Sequence, residues 1–196
     1  MRPALLLMSS LVLLSACATT PSSEAPATPA AAAKAPVSAF EKAREFDRVV
    51  VAGQPTLDDL KSLKERGITR VFNLRGVEEM KPETLGFDEA AELAALGIAY
   101  SNHPIDKPEA YTPALLDAFA QQVESGDGKI LLHCTVGWRA SNVYAAYAMK
   151  HLGQTPDEAA RLLEAVGGWP LPLERLTGER LALVRRDDLT KLGFED

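Results

Sequence analysis

The chain has 196 residues, of which 46% are hydrophobic, and this is enough for one domain of ordinary size with a packed core. Its formal net charge is -6 at pH 7, and its basic residues are scattered among acidic ones. A nucleic-acid partner is therefore not expected, because such binding needs a basic patch.

The N-terminal stretch has the pattern of a bacterial lipoprotein signal. An apolar run over residues 4–14 leads into residues 14–17, which fit a lipobox. We predict that residues 1–17 are a signal segment and that Cys17 becomes the lipidated first residue of the mature chain. The run is too short to span a bilayer. By resemblance to such lipoproteins, Ala18 implies an anchor in the outer membrane that faces the periplasm.

A low-complexity stretch separates this signal from the folded part. Residues 18–38 are rich in Ala, Pro, Ser and Thr and lack an apolar period, which predicts a disordered tether. The folded domain is predicted over residues 39–196. Because lipidation would consume Cys17, Cys134 has no cysteine partner within the chain. An exported protein that keeps a lone thiol more often uses it chemically.

Strand and helix patterns alternate along this domain. The predicted strands are 48–52, 68–74, 98–105 and a strand that ends at His133; the predicted helices are 56–66, 87–96, 112–124, 141–151 and one that begins at Thr155. Such alternation predicts an α/β fold, a three-layer sandwich with a mostly parallel central sheet. Its ligand site is expected at the carboxyl ends of the strands.

One of these ends carries the chemistry. The run of residues 130–132 leads to His133 and Cys134, and Gly137 and Arg139 follow before the next helix. A loop of this kind directs backbone N–H groups into one concavity at a helix N-terminus, which favours an anion and a cysteine thiolate. Cys134 is thus a candidate nucleophile, and the fork of Arg139 suits two oxygens of a tetrahedral oxyanion. The alternative is a buried structural cysteine.

At this point the chain resembles the protein tyrosine and dual-specificity phosphatases, whose signature is His-Cys, then Gly, then Arg followed by Ser or Thr. It is most similar to the phosphatase-like domain of bacterial beta-lactamase hydrolase-like proteins. Residues 53–55, 71–75 and 103–106, together with Glu78 and Glu79, match the order of pieces in that domain.

The resemblance implies a hydrolase of phosphate monoesters that works through a phosphocysteine and needs no cofactor or metal. Its catalytic residues would be Cys134, Arg139 and Asp106, with Asp106 as the general acid, 28 positions before Cys134. The phosphate loop would consist of His133, Thr135, Val136, Gly137, Trp138 and Ser141. His133 would orient the loop and tune the thiolate. Ser141, or less plausibly Thr135, would assist hydrolysis of the phosphocysteine. Alternatively, Ser141 would only cap the helix. The partners would be a phosphorylated protein or small molecule and, through the lipid anchor, the membrane.

The spacing in the loop leaves two alternatives open. Four residues separate Cys134 from Arg139, whereas the family signature has five. Four is common in rhodanese sulfurtransferases, and it also occurs in the beta-lactamase hydrolase-like group. The helix predicted after Thr155 favours the phosphatase fold, since a rhodanese would have a strand there. The third possibility is a phosphate-binding envelope module that has lost turnover, because a shorter loop displaces Arg139.

Overall fold

The fold is built on an open sheet. The computed structural model describes residues 37–164 and 171–181, and within these ranges one sheet has five strands in the order β1-β2-β5-β3-β4. The strands are β1 (Arg44–Phe46), β2 (Val49–Ala52), β3 (Ile68–Asn73), β4 (Ala99–Asn102) and β5 (Lys129–His133). Only the pairing of β1 with β2 is antiparallel among these strands; the other neighbours run parallel. The mostly parallel sheet predicted from the sequence is confirmed.

Helices cover both faces of the sheet. They are α1 (Leu57–Ser62), α2 (Pro82–Leu85), α3 (Glu89–Ala95), α4 (Pro113–Glu124), α5 (Trp138–His151), α6 (Pro156–Glu164) and α7 (Leu171–Thr177). Side chains alternate across a strand. Ile130 and Leu132 of β5 accordingly pack in one core with residues of α4, α5, α6 and α7, while Leu131 packs in the other with residues of α1 and α3. This is the three-layer sandwich that the sequence predicts.

Local capping signals locate several helix starts correctly. Thr56 forms a capping box with Asp59 at the start of α1. Thr112 accepts a hydrogen bond from the backbone of Leu115, with Pro113 as the first residue of α4. Thr155 is bonded in the same way to Glu158 at the start of α6. The helix predicted after Thr155 is therefore present, and it is the element that favours the phosphatase fold over the rhodanese fold.

The structure corrects one boundary that bears on the site. Helix α5 begins at Trp138, whereas the sequence pattern predicted a start at Ser141. Gly137, with a φ of 91°, occupies the N-cap position, so the helix follows the cysteine loop directly. Ser141 lies inside the helix, where its backbone N–H donates to the carbonyl of Gly137. It does not cap the helix.

The parallel strands end at one level and so bring distant segments together. His133 pairs with Ala52 of β2 and with Asn73 of β3. The backbone N–H of His103, just after β4, donates to the carbonyl of Asn73. The segments that follow these strands therefore share one edge of the sheet, which is the edge where a ligand site is expected.

Parts of the sequence-based prediction lie outside the described residues. These are the signal segment with Cys17, nearly all of the tether, and residues 165–170 and 182–196 of the predicted domain. Within the described ranges, no helix has the length and apolarity needed to cross a bilayer.

Candidate active site

The cysteine loop joins β5 to the N-terminus of α5. Cys134 is 1% exposed, and its Sγ atom accepts a hydrogen bond from the backbone N–H of Gly137 at 3.2 Å. The positive φ of Gly137 turns the loop so that this N–H points at the sulfur. The backbone amides and the dipole of α5 add positive potential there, which suits a bound anion.

A second turn supports the loop from behind. The backbone N–H of Gln54 donates to the carbonyl of Thr135 at 3.1 Å. A Cβ atom at Gly53 would lie 3.1 Å from that carbonyl oxygen and 3.4 Å from the Cα atom of Val136. The approach is tighter than an ordinary van der Waals contact, so glycine at position 53 lets the two segments meet. The turn at Gly53 and Gln54 therefore fixes the position of the cysteine loop relative to the end of β2.

The guanidinium of Arg139 is held by a carboxylate in a bidentate pair. Its Nη1 and Nη2 atoms donate to Glu79 at 2.7 and 2.9 Å. Nη2 also donates to the hydroxyl of Thr135 at 2.8 Å, and Nη1 to the carbonyls of Leu74 and Ile105, both at 3.2 Å. These bonds orient the fork. They also mean that an incoming anion would either share Arg139 with Glu79 or displace Glu79 from it.

Glu79 is ionised in this arrangement. Hydrogen bonds from Arg139 lower the pKa of Glu79 to about 2, against the opposing effect of partial burial. The hydroxyl of Thr135 and the backbone N–H of Gly76 also donate to this carboxylate, at 2.5 and 2.8 Å. From the sequence, Glu79 was identified only as a residue that matches the phosphatase-like domain, and no role was predicted for it.

Asp106 lies at the same edge of the sheet. It follows Ile105, whose backbone N–H donates to the carbonyl of Leu74, and its side chain is exposed. A Cβ atom at Gly76 would collide with the carboxylate of Asp106 and lie 3.3 Å from Oε2 of Glu79. Glycine at position 76 therefore leaves room for the acid predicted from the sequence.

A cavity of about 620 Å³ connects these groups. Asp106, Trp138 and Arg139 line it together with Tyr111 and residues of α7. Cys134 does not line this cavity and stays buried beneath the loop. The structure thus brings two of the three predicted catalytic residues, Asp106 and Arg139, to one cavity, while the third, Cys134, is buried at the base of the loop.

His133 is buried behind the cysteine and is neutral. Burial lowers its pKa to about 3. Its Nε2 atom lies 3.3 Å from Oε1 of Glu89, a carboxyl that is itself 1% exposed, and burial raises the pKa of Glu89 to about 7. The neutral imidazole of His133 therefore faces a carboxyl that is mainly protonated below about pH 7. An imidazole with so low a pKa does not act as a base at neutral pH. The loop-orienting role predicted for His133 stays a prediction.

Glu89 belongs to a polar network that sequence reasoning missed. Gln54 donates to Glu89 at 3.2 Å and accepts from Nη1 of Arg75 at 2.7 Å. Nε of Arg75 lies 3.9 Å from Glu79, which holds Arg139. A chain of polar side chains therefore runs from the buried His133 to the partly buried guanidinium of Arg139. In the sequence, the only signal of this network was that segments 53–55 and 71–75, which contain Gln54 and Arg75, match the phosphatase-like domain. Glu89 could not be recognised, because it looks like an ordinary acidic residue in the first turn of a helix.

The remaining predicted loop residues have different environments. Thr135 joins Arg139 and Glu79, whereas the side chain of Val136 is 80% exposed. Trp138 is half-buried and lines the cavity. Ser141 is 6% exposed inside α5. Among the residues that the structure describes, no group of three or more His, Cys, Asp or Glu side chains could hold a metal ion.

The fold and the loop define a class. A cysteine at a helix N-terminus, followed by an arginine fork at the carboxyl end of a parallel sheet, is the arrangement of the cysteine-phosphatase fold that the sequence resembles. Comparison with known proteins agrees, although no family model matches the chain.

Two curated relatives are beta-lactamase hydrolase-like proteins. The protein from Agrobacterium fabrum is 31% identical over 98 residues, which is 50% of this chain and 22% of that protein. The protein from Xylella fastidiosa strain Temecula1 is 33% identical over 100 residues, 50% of this chain and 23% of that protein. The chain thus matches less than a quarter of the length of these relatives.

Several solved phosphatases share the fold. PTPMT1 in complex with PI(5)P has a TM-score of 0.57 at 18% identity, over 66% of this chain and 88% of that one. Tk-PTP in the active form has 0.56 at 21%, over 70% and 97%. Human DUSP28 has 0.50 at 19%, over 69% and 90%. The predicted resemblance to the protein tyrosine and dual-specificity phosphatases is confirmed, and the chain has their fold.

Proposed function

We propose that the chain is a cysteine-dependent phosphatase that hydrolyses phosphate monoesters through a phosphocysteine. The observation that carries this proposal is the hydrogen bond of 3.2 Å from the N–H of Gly137, at the N-terminus of α5, to Cys134 Sγ. The side chain of Arg139 also interacts with Cys134. A thiolate there has an anion cradle around it and a cation next to it.

The proposed reaction has two steps. In the first, Cys134 attacks phosphorus; the S–P bond forms, the P–O bond to the alcohol breaks, and Asp106 gives its proton to the departing oxygen. In the second, water attacks the phosphocysteine and returns a proton to Asp106, releasing phosphate and the thiolate. Arg139 and the loop amides hold the phosphoryl oxygens throughout. Glu79 keeps the Arg139 fork in position between turnovers.

Two other functions remain as alternatives to be tested. A phosphate-binding module without turnover is supported by the burial of Cys134 and by the pairing of both Nη atoms of Arg139 with Glu79. A rhodanese-like sulfurtransferase is supported only by the length of the loop. Asp106 has no use in sulfur transfer.

A side-by-side assay separates the three. The full chain is given an aryl phosphate without added metal, and in parallel thiosulfate with cyanide. We expect phosphate release that Cys134→Ser abolishes, and no sulfur transfer. Activity that survives Cys134→Ser rejects the mechanism. Phosphate binding without turnover favours the binding module, and thiosulfate as the better donor favours the sulfurtransferase.

We also propose that the enzyme is tethered to the bacterial envelope, with its anchor in the outer membrane and its domain in the periplasm. The lipobox that ends at Cys17 supports this. Cys17→Ser should move the protein from the membrane fraction to the soluble fraction of cells, while Cys134→Ser should leave it in the membrane fraction. Equal distribution of the two variants would reject the anchor.

We propose that the cavity beside Arg139 binds the alcohol part of the substrate. One relative by fold, PTPMT1, was solved with PI(5)P. For this chain a phosphorylated protein and a phosphorylated small molecule are both compatible with the site.

A further inference from the structure

The cavity beside Arg139 contains a buried hydroxyl that the mechanism above does not use. Tyr111 lines the cavity and is 6% exposed. Its backbone N–H donates to the carbonyl of Pro108 at 3.3 Å, which holds the residue between the Asp106 segment and α4. The ring is therefore fixed in the wall of the cavity.

The Oη atom of Tyr111 is the second feature of this wall. It is buried and has no hydrogen-bond partner among the residues that the structure describes. A buried hydroxyl without a partner destabilises a folded protein, and native structures keep few of them. A hydroxyl of this kind in a cavity wall is suited to donate a hydrogen bond to a ligand.

The charges around Oη indicate where a ligand would be. Burial raises the pKa of Tyr111 to about 12, the charge of Arg139 acts to lower it, and that of Cys134 acts to raise it. Arg139 and Cys134, two of the three predicted catalytic residues, thus both lie close enough to influence this hydroxyl. Tyr111 is protonated at neutral pH and can donate a hydrogen bond.

The rest of the cavity suits the alcohol part of an ester. Ile105, Trp138 and Pro172 supply apolar surface, while Asp106 and Arg139 supply charge. A volume of about 620 Å³ is typical of pockets that hold a small organic ligand. A phosphoryl group at Arg139 would then leave the alcohol part against the apolar walls.

We propose that the hydroxyl of Tyr111 donates a hydrogen bond to a phosphoryl oxygen of the substrate held above Cys134, which makes Tyr111 a substrate-binding residue. This inference rests on the proposed phosphatase function. It gives the buried donor in the cavity wall a function, because a bound phosphoryl oxygen would accept its hydrogen bond.

The chain offers a matched control. Tyr144 on α5 is 5% exposed, as deeply buried as Tyr111, and it stacks on Phe46 with ring centroids 4.1 Å apart. It does not line the cavity at Arg139. Tyr144→Phe therefore removes the same hydroxyl from a similar environment without touching the proposed contact.

The test measures binding of inorganic phosphate and of vanadate to the full chain by calorimetry, with thermal melting on the same samples. For Tyr111→Phe we expect binding about tenfold or more weaker, since hydrogen bonds to charged ligands are strong. Its melting temperature should not fall, because an unpaired buried hydroxyl has been removed. Tyr144→Phe should bind both anions within about twofold of the wild type.

Other outcomes separate this inference from the proposed function. If the wild type hydrolyses an aryl phosphate and Tyr111→Phe binds phosphate and vanadate as the wild type does, the role of Tyr111 is wrong and the function stands. If binding depends on Tyr111 but no ester is hydrolysed, the role of Tyr111 stands and the catalytic function fails. If Tyr111→Phe weakens binding and also melts at a lower temperature than the wild type, Tyr111 has a structural role instead. If the wild type binds neither anion, the role of Tyr111 and the proposed function are both overturned.

Discussion

The carboxylate of Glu79 provides the most quantitative test of the site. It accepts two hydrogen bonds from Arg139, one from Thr135 and one from the backbone of Gly76. In Glu79→Gln the side chain keeps its length, but its amide NH₂ places a donor against the donors of Arg139. The bidentate pair is lost, and the fork is no longer held in one orientation.

The size of the effect follows from linkage. The pKa of Glu79 falls from 4.5 to about 2 on folding, and at about 1.4 kcal/mol for each pKa unit this corresponds to roughly 3 kcal/mol. Since the side chain is 33% exposed, solvent screening reduces the figure, and we expect Glu79→Gln to lower the free energy of unfolding by about 2 kcal/mol at pH 7.

The sign of the pH dependence is defined. The folded pKa is depressed, so this stabilisation is fully present above the unfolded pKa of about 4.5 and is lost as the pH falls through about 2. The difference between wild type and Glu79→Gln should therefore shrink over that window. Urea unfolding of the full chain at a series of pH values measures it.

The neighbouring Glu78 is the control. It pairs with Lys81 at 2.6 Å, but its side chain is 79% exposed. Glu78→Gln should change the free energy of unfolding by no more than about 0.5 kcal/mol. The reasoning would be refuted by equal losses in the two variants, or by a Glu79→Gln loss that does not depend on pH.

Two further predictions concern the acid and the buried carboxyl. Asp106→Asn should lower kcat for an aryl phosphate by about 10² to 10⁴ and leave vanadate binding intact, since it removes only the proton donor; unchanged kcat would exclude Asp106 as the acid. The folded pKa of Glu89, about 7, lies above its unfolded value of 4.5, so its stabilising contribution is present below pH 4.5 and is lost as the pH rises through about 7. Relative to the wild type, Glu89→Gln should accordingly gain stability across that window, on the order of 3 kcal/mol in urea unfolding. A difference that is constant or falls with pH would mean that Glu89 is ionised in the folded protein.

Local chemistry explains which parts of the fold were predictable. The caps at Thr56 and Thr112 depend on residues three positions away, so the sequence pattern located both helix starts. The apolar run before His133 and the glycine and arginine after it identified the cysteine loop for the same reason. The start of α5 was wrong because a glycine with positive φ replaced the serine cap that the pattern favoured.

The supporting shell of the site was not predictable in this way. Gln54, Arg75, Glu79 and Glu89 follow different strands or begin a helix, and they meet only because parallel strands end at one edge of the sheet. Strand β1 was also missed, because its three residues are too few to show a period. The unpaired hydroxyl of Tyr111 is a property of the packed structure alone.

The central claim is that Cys134 carries the phosphoryl group during turnover. The most direct measurement mixes the full chain with an aryl phosphate, stops the reaction in acid within the first turnover, and analyses the peptide that contains Cys134 by mass spectrometry. We predict that this peptide gains the mass of one phosphoryl group, that the gain is absent in Cys134→Ser, and that it is lost when the reaction runs to completion. Hydrolysis of the ester without any such adduct, or with an adduct on another residue, would contradict it.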